Sequence, residues 1–352
     1  MSGHAARTAT ADVVCLGESM VTFLPSQPGR LADVPSFGRG IGGAESNVAC
    51  ALAAAGHRAK WVGRVGADGF GDHLVDTIAA YGVDTSAVRR DPRRPTGIYF
   101  RTATDRATDT HEVAYYRAGS AASAMSPRNV PYEDLLATRV LHLSGITAAL
   151  SADCLALLHD LTAPREGRPL VSFDVNHRPG LWRDGGTGPE VLLALARRCD
   201  LVFVGDDEAE EAWGVHGAEA IRAALPEPDV LVVKRGADGV TVFSRTGDGT
   251  AGDTVTTVPS LHVDVVAAVG AGDAFAAGFL SATLRDLPVR DRARHGHLMA
   301  AAVLTVPGDL TGPPSRTHAD RLAALDDDAW GTLRLGPGWT AADGANEEVR
   351  VT

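Results

Sequence analysis

Asp273 closes the run Gly270, Ala271, Gly272, Asp273, in which three residues with almost no side chain precede a carboxylate. Small residues let consecutive backbone amides converge on an anion, and the helical pattern starting at Ala274 adds the positive end of its dipole. A carboxylate beside such an anion hole can accept the proton of an attacking hydroxyl while the amides hold the charge of a transferred phosphoryl group. The competing reading makes Asp273 no more than the N-cap of that helix, worth about 1 kcal/mol. Capping alone does not call for small residues ahead of it. The stretch VVAAVGAGDAFAAG, residues 265–278, therefore reads as a phosphoryl-transfer turn.

Other glycines and histidines are less specific. GRGIGG, residues 38–43, superficially resembles a dinucleotide fingerprint, but it does not follow directly from a strong first strand. It is either a flexible turn or a place where Gly42 and Gly43 let the backbone approach a ligand while Asn47, one turn into the next helix, aims its amide at it. Nothing matches GxxxxGK[ST], which excludes a P-loop nucleotidase. His295 and His297 lie two apart on a helical pattern and point in different directions, so they do not share a metal. Cys15, Cys50, Cys154 and Cys199 are scattered, without zinc spacing, and read as reduced buried thiols.

The elements that must position these residues follow from periodicity. Asp12 to Leu16 is a short apolar strand leading to GES, and AESNVACALAAAGH is a helix closed by Gly56. KWVGRVG is strand and GFGDHLVDTIAAYGV is helix. TGIYFRTAT and HEVAYYRAG, separated by the turn-like DRATDT, form a β-hairpin, which together with short strands before Gly38 makes a small lid-like sheet. Beyond Pro127, strands at RVLHLSG, PLVSFDVN, DLVFVGD and VLVVKRG alternate with helices. That pattern is α/β with parallel strands, and ligands gather at their carboxyl ends. The expected unit spans residues 11–330, with the lid drawn from about 18–40 and 94–120. Residues 1–10 and 337–352 read as loose tails.

The 352 residues are 45% hydrophobic and 22% charged, enough for a large core, and the net charge of −11 leaves no basic face for nucleic acid or an anionic membrane. The N-terminus lacks a signal-peptide core and no apolar run spans a bilayer, so a soluble cytoplasmic chain acting on a small molecule is expected.

GGAESNVA near residue 42 and VGAGDAFAAGF near residue 269, in this order and at this separation, resemble the two signatures of the ribokinase-like, or PfkB-type, carbohydrate kinases. The resemblance runs from about Val13 to Arg316. It implies a three-layer α/β/α fold with a mostly parallel sheet and a β-sheet lid, with ATP and Mg2+ as cofactors. It makes Asp273 the catalytic base and the amides of Gly270, Ala271 and Gly272 the anion hole. VVKRGADG places Lys234, Gly236 and Gly239 at the nucleotide, together with Asn176 and the amides of Gly270 and Gly272. FVGDDEAE matches the family's Asn-x-x-Glu region, with Glu208 organising magnesium through water. AAAVLTVPGD would pass near the adenine.

Two positions depart from the family. Ala267 and Ala268 stand where Asp-Thr usually precedes GAGD, which leaves a monovalent-cation site open, and Gly205 replaces the Asn of Asn-x-x-Glu, which weakens metal organisation.

YYRAGSAAS and DVNHRPGLW are similar to segments of 2-keto-3-deoxygluconate kinases, whose substrate carries a carboxylate. Arg117 and Arg178 each offer a planar bidentate fork for one. Alternatively, Arg117 ends an exposed strand and Arg178 pairs with an acid such as Asp174. Tyr99 and Tyr115 are either substrate contacts or lid packing, and alternation puts Tyr116 on the opposite face. Asp174 would otherwise cap a strand-end turn. Substrate-binding candidates are thus Gly42, Gly43, Asn47, Tyr99, Tyr115, Arg117, Arg178 and Asp273. A neutral-sugar fructokinase or ribokinase is the alternative within the class, and a non-catalytic sugar- or nucleotide-binding regulator the alternative outside it. The resemblance also implies a possible homodimer through the lid.

Overall fold

A computed structural model describes residues 9–102, 112–182, 187–245 and 252–341. Among these residues, eight strands form the main sheet, in the order Asp253–Val258, Val240–Arg245, Val230–Lys234, Leu201–Gly205, Leu170–Asp174, Thr138–Ser144, Ala11–Leu16 and Ala59–Val62. The six from Val230–Lys234 to Ala59–Val62 are parallel. The other two add an antiparallel edge that the sequence reading does not contain. Polar threonines alternate through the half-exposed outermost strand and blur its pattern.

Strand residues alternate between two cores. Val13 and Cys15 join one and Val14 and Leu16 the other; Phe203 faces the first, Val202 and Val204 the second. A sheet buried on both faces must be apolar on both, which is why these strands read as continuous hydrophobic runs. Helices Ala44–Ala54, Ala271–Leu284 and Val289–Leu304 cover one face, and Ala152–Leu161 and Gly188–Ala196 the other. The result is the expected three-layer α/β/α fold.

The second sheet orders Phe37–Gly42, Met20–Pro25, Ile98–Arg101 and Val113–Tyr116. Its hairpin pairs Tyr99 with Tyr115 as alternation requires, while the expected DRATDT turn lies outside the described residues. Phe37–Gly42 pairs along its length with Met20–Pro25, so most of GRGIGG is strand rather than flexible turn. Phe100 stacks on Phe23 and meets Phe37 and Tyr116 edge to face, on the face opposite Tyr99 and Tyr115.

The start of the expected C-terminal tail is packed: Trp339 is buried against His318. Just ahead of it, Arg334–Leu335 pairs with His262–Val263. One large aromatic can anchor a segment that has no periodicity. The rest of the two expected tails, residues 1–8 and 342–352, lies outside the described residues. Among the described residues no helix is long and apolar enough to cross a membrane.

Candidate active site

A cavity of about 950 Å³ opens between the second sheet and the carboxyl ends of the parallel strands. Asp174 and Lys234 are the last residues of their strands, and Glu18 follows the first strand closely. Parallel topology puts all three at one edge, where crossover loops leave a crevice.

Asp273 stands over this crevice, but not as an N-cap. The helix begins at Ala271, with Gly270 as its cap at φ 80°, so Asp273 occupies the third helical position. The reason is local: Ala274 N–H already bonds Gly270 O at 2.9 Å, and only glycine adopts the left-handed cap at ease. A Cβ on Gly270 would also lie 2.7 Å from the Asp309 carbonyl oxygen. The amides of Gly270, Ala271, Gly272 and Asp273 consequently start the helix without intrahelical acceptors.

Burial pushes the Asp273 carboxyl up to about 7; the nearby charges of Asp174 and Asp309 add to this, while the Asn47 amide and Lys234 oppose it. Asn47 Nδ2 donates to Asp273 Oδ2 at 2.8 Å. A carboxyl poised near neutrality beside free helix amides can take a proton at physiological pH.

Lys234 Nζ donates to both oxygens of Asp174, at 3.2 and 3.3 Å. Burial opposes its charge, but Asp174 and Glu208 outweigh that and hold the ammonium above its ordinary value. A Cβ on Gly272 would come within 3.7 Å of Lys234 Nζ, so the cation sits beside the free amides. Glu208 Oε2 accepts from Gly205 N–H at 2.7 Å, and burial raises its carboxyl above the ordinary value. Asn176, at φ 41°, aims an unpaired buried Oδ1 near the cavity that it lines.

Across the cavity, the Arg117 side chain is only 9% exposed and forms an ion pair with Glu18, which also accepts from Ser120 Oγ at 2.5 Å. Arg117 lies 5.8 Å from the Tyr115 ring centre. Arg178 is 56% exposed and approaches Glu208 at 4.0 Å. It does not pair with Asp174, whose carboxylate is held by Lys234. Tyr99 is buried and donates to Asp309 Oδ2 at 3.2 Å.

Residues 10–316 match the model of the pfkB family carbohydrate kinases. The chain belongs to the PfkB family. It is 34% identical over 310 residues to the 2-dehydro-3-deoxygluconokinase of Bacillus subtilis (strain 168), covering 87% of this chain and 93% of that one. With the enzyme of the same name from Thermoproteus tenax it shares 32% identity over 317 residues, 89% of this chain and 94% of the other. The PfkB protein from Polaromonas sp. JS666 superposes with a TM-score of 0.76 at 33% identity, covering 88% of this chain and 99% of that one. Fructokinase from Xylella fastidiosa with bound ATP gives a TM-score of 0.76 at 25% identity, covering 88% and 97%. This PfkB chain is a carbohydrate kinase with a ribokinase-like fold.

Of the catalytic and binding residues expected from the sequence, Gly236 and Gly239 do not line the cavity of this kinase; the others do. With φ of 53° and 99°, they shape the tight turn after Lys234 instead. His295 bonds Asp320 and His297 packs on Phe275, so the two go separate ways as expected.

Three residues are additions: Glu18, Arg101 and Asp309. Arg101 was within reach, because alternation puts it on the same strand face as Tyr99. Asp309 ends the segment AAAVLTVPGD that the sequence reading set near the adenine, and nothing local pointed to its bonds with Tyr99 and Arg101. Among the described residues, no cluster of three His, Cys, Asp or Glu side chains could hold a metal. A magnesium ion here fits only with phosphate oxygens and water completing its shell around a carboxylate such as Glu208.

Proposed function

We propose that this kinase transfers the γ-phosphoryl group of MgATP to the terminal hydroxyl of 2-keto-3-deoxygluconate or a close sugar acid. The observation that carries this reading is that Arg117, Arg178 and Asp273 open on one cavity. Two guanidinium groups suit a substrate carboxylate, and nothing in a neutral sugar requires them. The two curated relatives that bear this enzyme's name support the same substrate.

The acceptor hydroxyl gives its proton to Asp273 as its oxygen bonds the γ-phosphorus, and the bond from that phosphorus to the bridging oxygen of ADP breaks. Amides of Gly270, Ala271 and Gly272 face the charge on the transferred group, with Lys234 beside them. Asn176 lies on the nucleotide side. Magnesium, when bound with ATP, would neutralise phosphate charge, and Glu208 would hold one of its waters. The ATP-bound fructokinase supports ATP as donor.

One observation favours a neutral sugar: Glu18 already neutralises Arg117. Fructose or ribose is therefore the second reading. A non-catalytic regulator has only Ala267 and Ala268 in its favour. Asp273→Asn separates the cases: turnover should fall by a factor of ~10³ or more while sugar binding survives. Sugar-dependent ADP release undiminished in this variant would remove Asp273 as base.

The outward lid face, with Tyr116 65% exposed over Phe100, offers an apolar surface for a second copy of the chain. Tyr116→Glu should shift a dimer to monomer in sedimentation, and an unchanged sedimentation coefficient would count against this interface.

A further inference from the structure

Asp309 is the point where three separate parts of the chain meet. Its Oδ1 accepts from Arg101 Nη2 at 2.6 Å, and its Oδ2 from the Tyr99 hydroxyl at 3.2 Å. Both donors belong to the lid strand Ile98–Arg101. Its backbone touches the catalytic turn, since a Cβ on Gly270 would meet Asp309 O at 2.7 Å and Asp309 Cα at 3.1 Å. Its carboxylate also faces the other glycine motif, because a Cβ on Gly42 would meet Tyr99 Oη at 2.2 Å and Asp309 Oδ2 at 3.0 Å.

The Arg101–Asp309 pair is closed to solvent, with both side chains 6% exposed. Removing one partner of such a pair leaves a buried charge uncompensated, so the contact fixes geometry more firmly than a surface pair does. Glycine at 42 and at 270 leaves no side chain to cushion a shift of Asp309. A displacement of the lid strand would therefore be passed to the turn that holds the anion-binding amides.

We infer that Arg101 is a positioning residue: through Asp309 it locks the lid strand to the Gly270 turn, so that the anion hole takes its working geometry only with the lid in place. Arg101 acts through Asp309 and not by holding the sugar itself. This rests on the kinase reading above but not on the identity of the sugar.

Mutant kinetics on the full chain test it, using whichever of 2-keto-3-deoxygluconate, fructose or ribose the wild type phosphorylates best. A neutral-sugar preference would thus overturn the substrate assignment and leave this test intact. Arg101→Met should lower kcat at least tenfold, with KM for ATP within twofold. Arg101→Lys, which keeps the charge, should recover most of the loss and keeps the test available if the methionine variant does not fold. In an Asp309→Asn background, replacing Arg101 by Met or by Lys should change kcat less than twofold, because the partner through which Arg101 acts is gone. Equal losses in both backgrounds would show that Arg101 acts independently of Asp309. A lowered melting temperature with kcat and KM unchanged would reduce the pair to a structural contact. Either result overturns the inference.

Discussion

Asn47 donates a hydrogen bond of 2.8 Å to Asp273, joining residues 226 positions apart in the chain. Each belongs to one of the two glycine-bearing motifs, so the contact aligns the start of one helix with the start of the other. Its donor geometry favours the ionised carboxylate. Asn47→Ala should lower kcat by a factor of ~10 to 100, as expected for a misaligned base. It should also move the acidic limb of the pH–rate profile upward, because a bond that stabilises the anion is lost. A profile unchanged in both height and position would show that Asn47 does not orient the base.

The pH dependence of the wild type follows from the same carboxyl. Burial raises Asp273 from an ordinary value of 3.8 to about 7, and a base works only once deprotonated. Sugar-dependent kcat/KM should therefore rise through pH ~7 and level off above it. A flat profile from pH 5 to 8, the interval in which that carboxyl should ionise, would contradict this.

Stability has the opposite sign. A carboxyl raised in the folded state favours its protonated form, so stability is highest at low pH and declines as pH rises from about 3.8 through about 7. Asp273→Asn cannot ionise and escapes that cost. Its melting temperature should exceed that of the wild type by a margin that widens between pH 5 and 7 and is constant above. A margin independent of pH would exclude the linkage.

The two cavity arginines should differ. Arg117 is buried in an ion pair and Arg178 is largely exposed. Arg117→Ala should raise KM for the sugar acid by a factor of ~10 or more, the scale of a charge-assisted hydrogen bond, and Arg178→Ala by a few-fold. Neither should affect a neutral sugar as strongly. Equal effects on both kinds of sugar, measured in parallel, would remove the carboxylate from the argument.

Ala267 and Ala268 bear on ions. Neither side chain can coordinate a cation, and Ala267 N–H is taken up by Leu304 O at 3.3 Å. Exchanging potassium for tetramethylammonium should leave kcat within about twofold, since neither Ala267 nor Ala268 offers a carboxylate to hold the smaller ion. A tenfold drop would place a cation site on backbone carbonyls alone.

Much of this was legible in the sequence because burial on both sheet faces writes strands as apolar runs, and Val13 to Leu16 or Leu201 to Gly205 could hardly be read otherwise. The lid followed from tyrosine alternation, with Tyr99 and Tyr115 facing the cavity. What escaped depends on tertiary contact. Asp309 sits in an irregular segment and acquires a role only when Arg101 and Gly270 are brought to it. The helix start was misplaced because Asp273 is a good cap by type, while the deciding factor was the left-handed backbone at Gly270. Glu18 stood in plain sight after the first strand, yet only the fold sets it against Arg117. Trp339 likewise had no pattern around it to show that it is buried.

The most direct test is a side-by-side measurement of ADP release by the wild type with 2-keto-3-deoxygluconate, fructose and ribose. The result expected is a kcat/KM for the sugar acid at least tenfold above either neutral sugar, about the discrimination of one well-made charged contact. A clear preference for fructose or ribose would contradict the assignment of Arg117 and Arg178 to a substrate carboxylate.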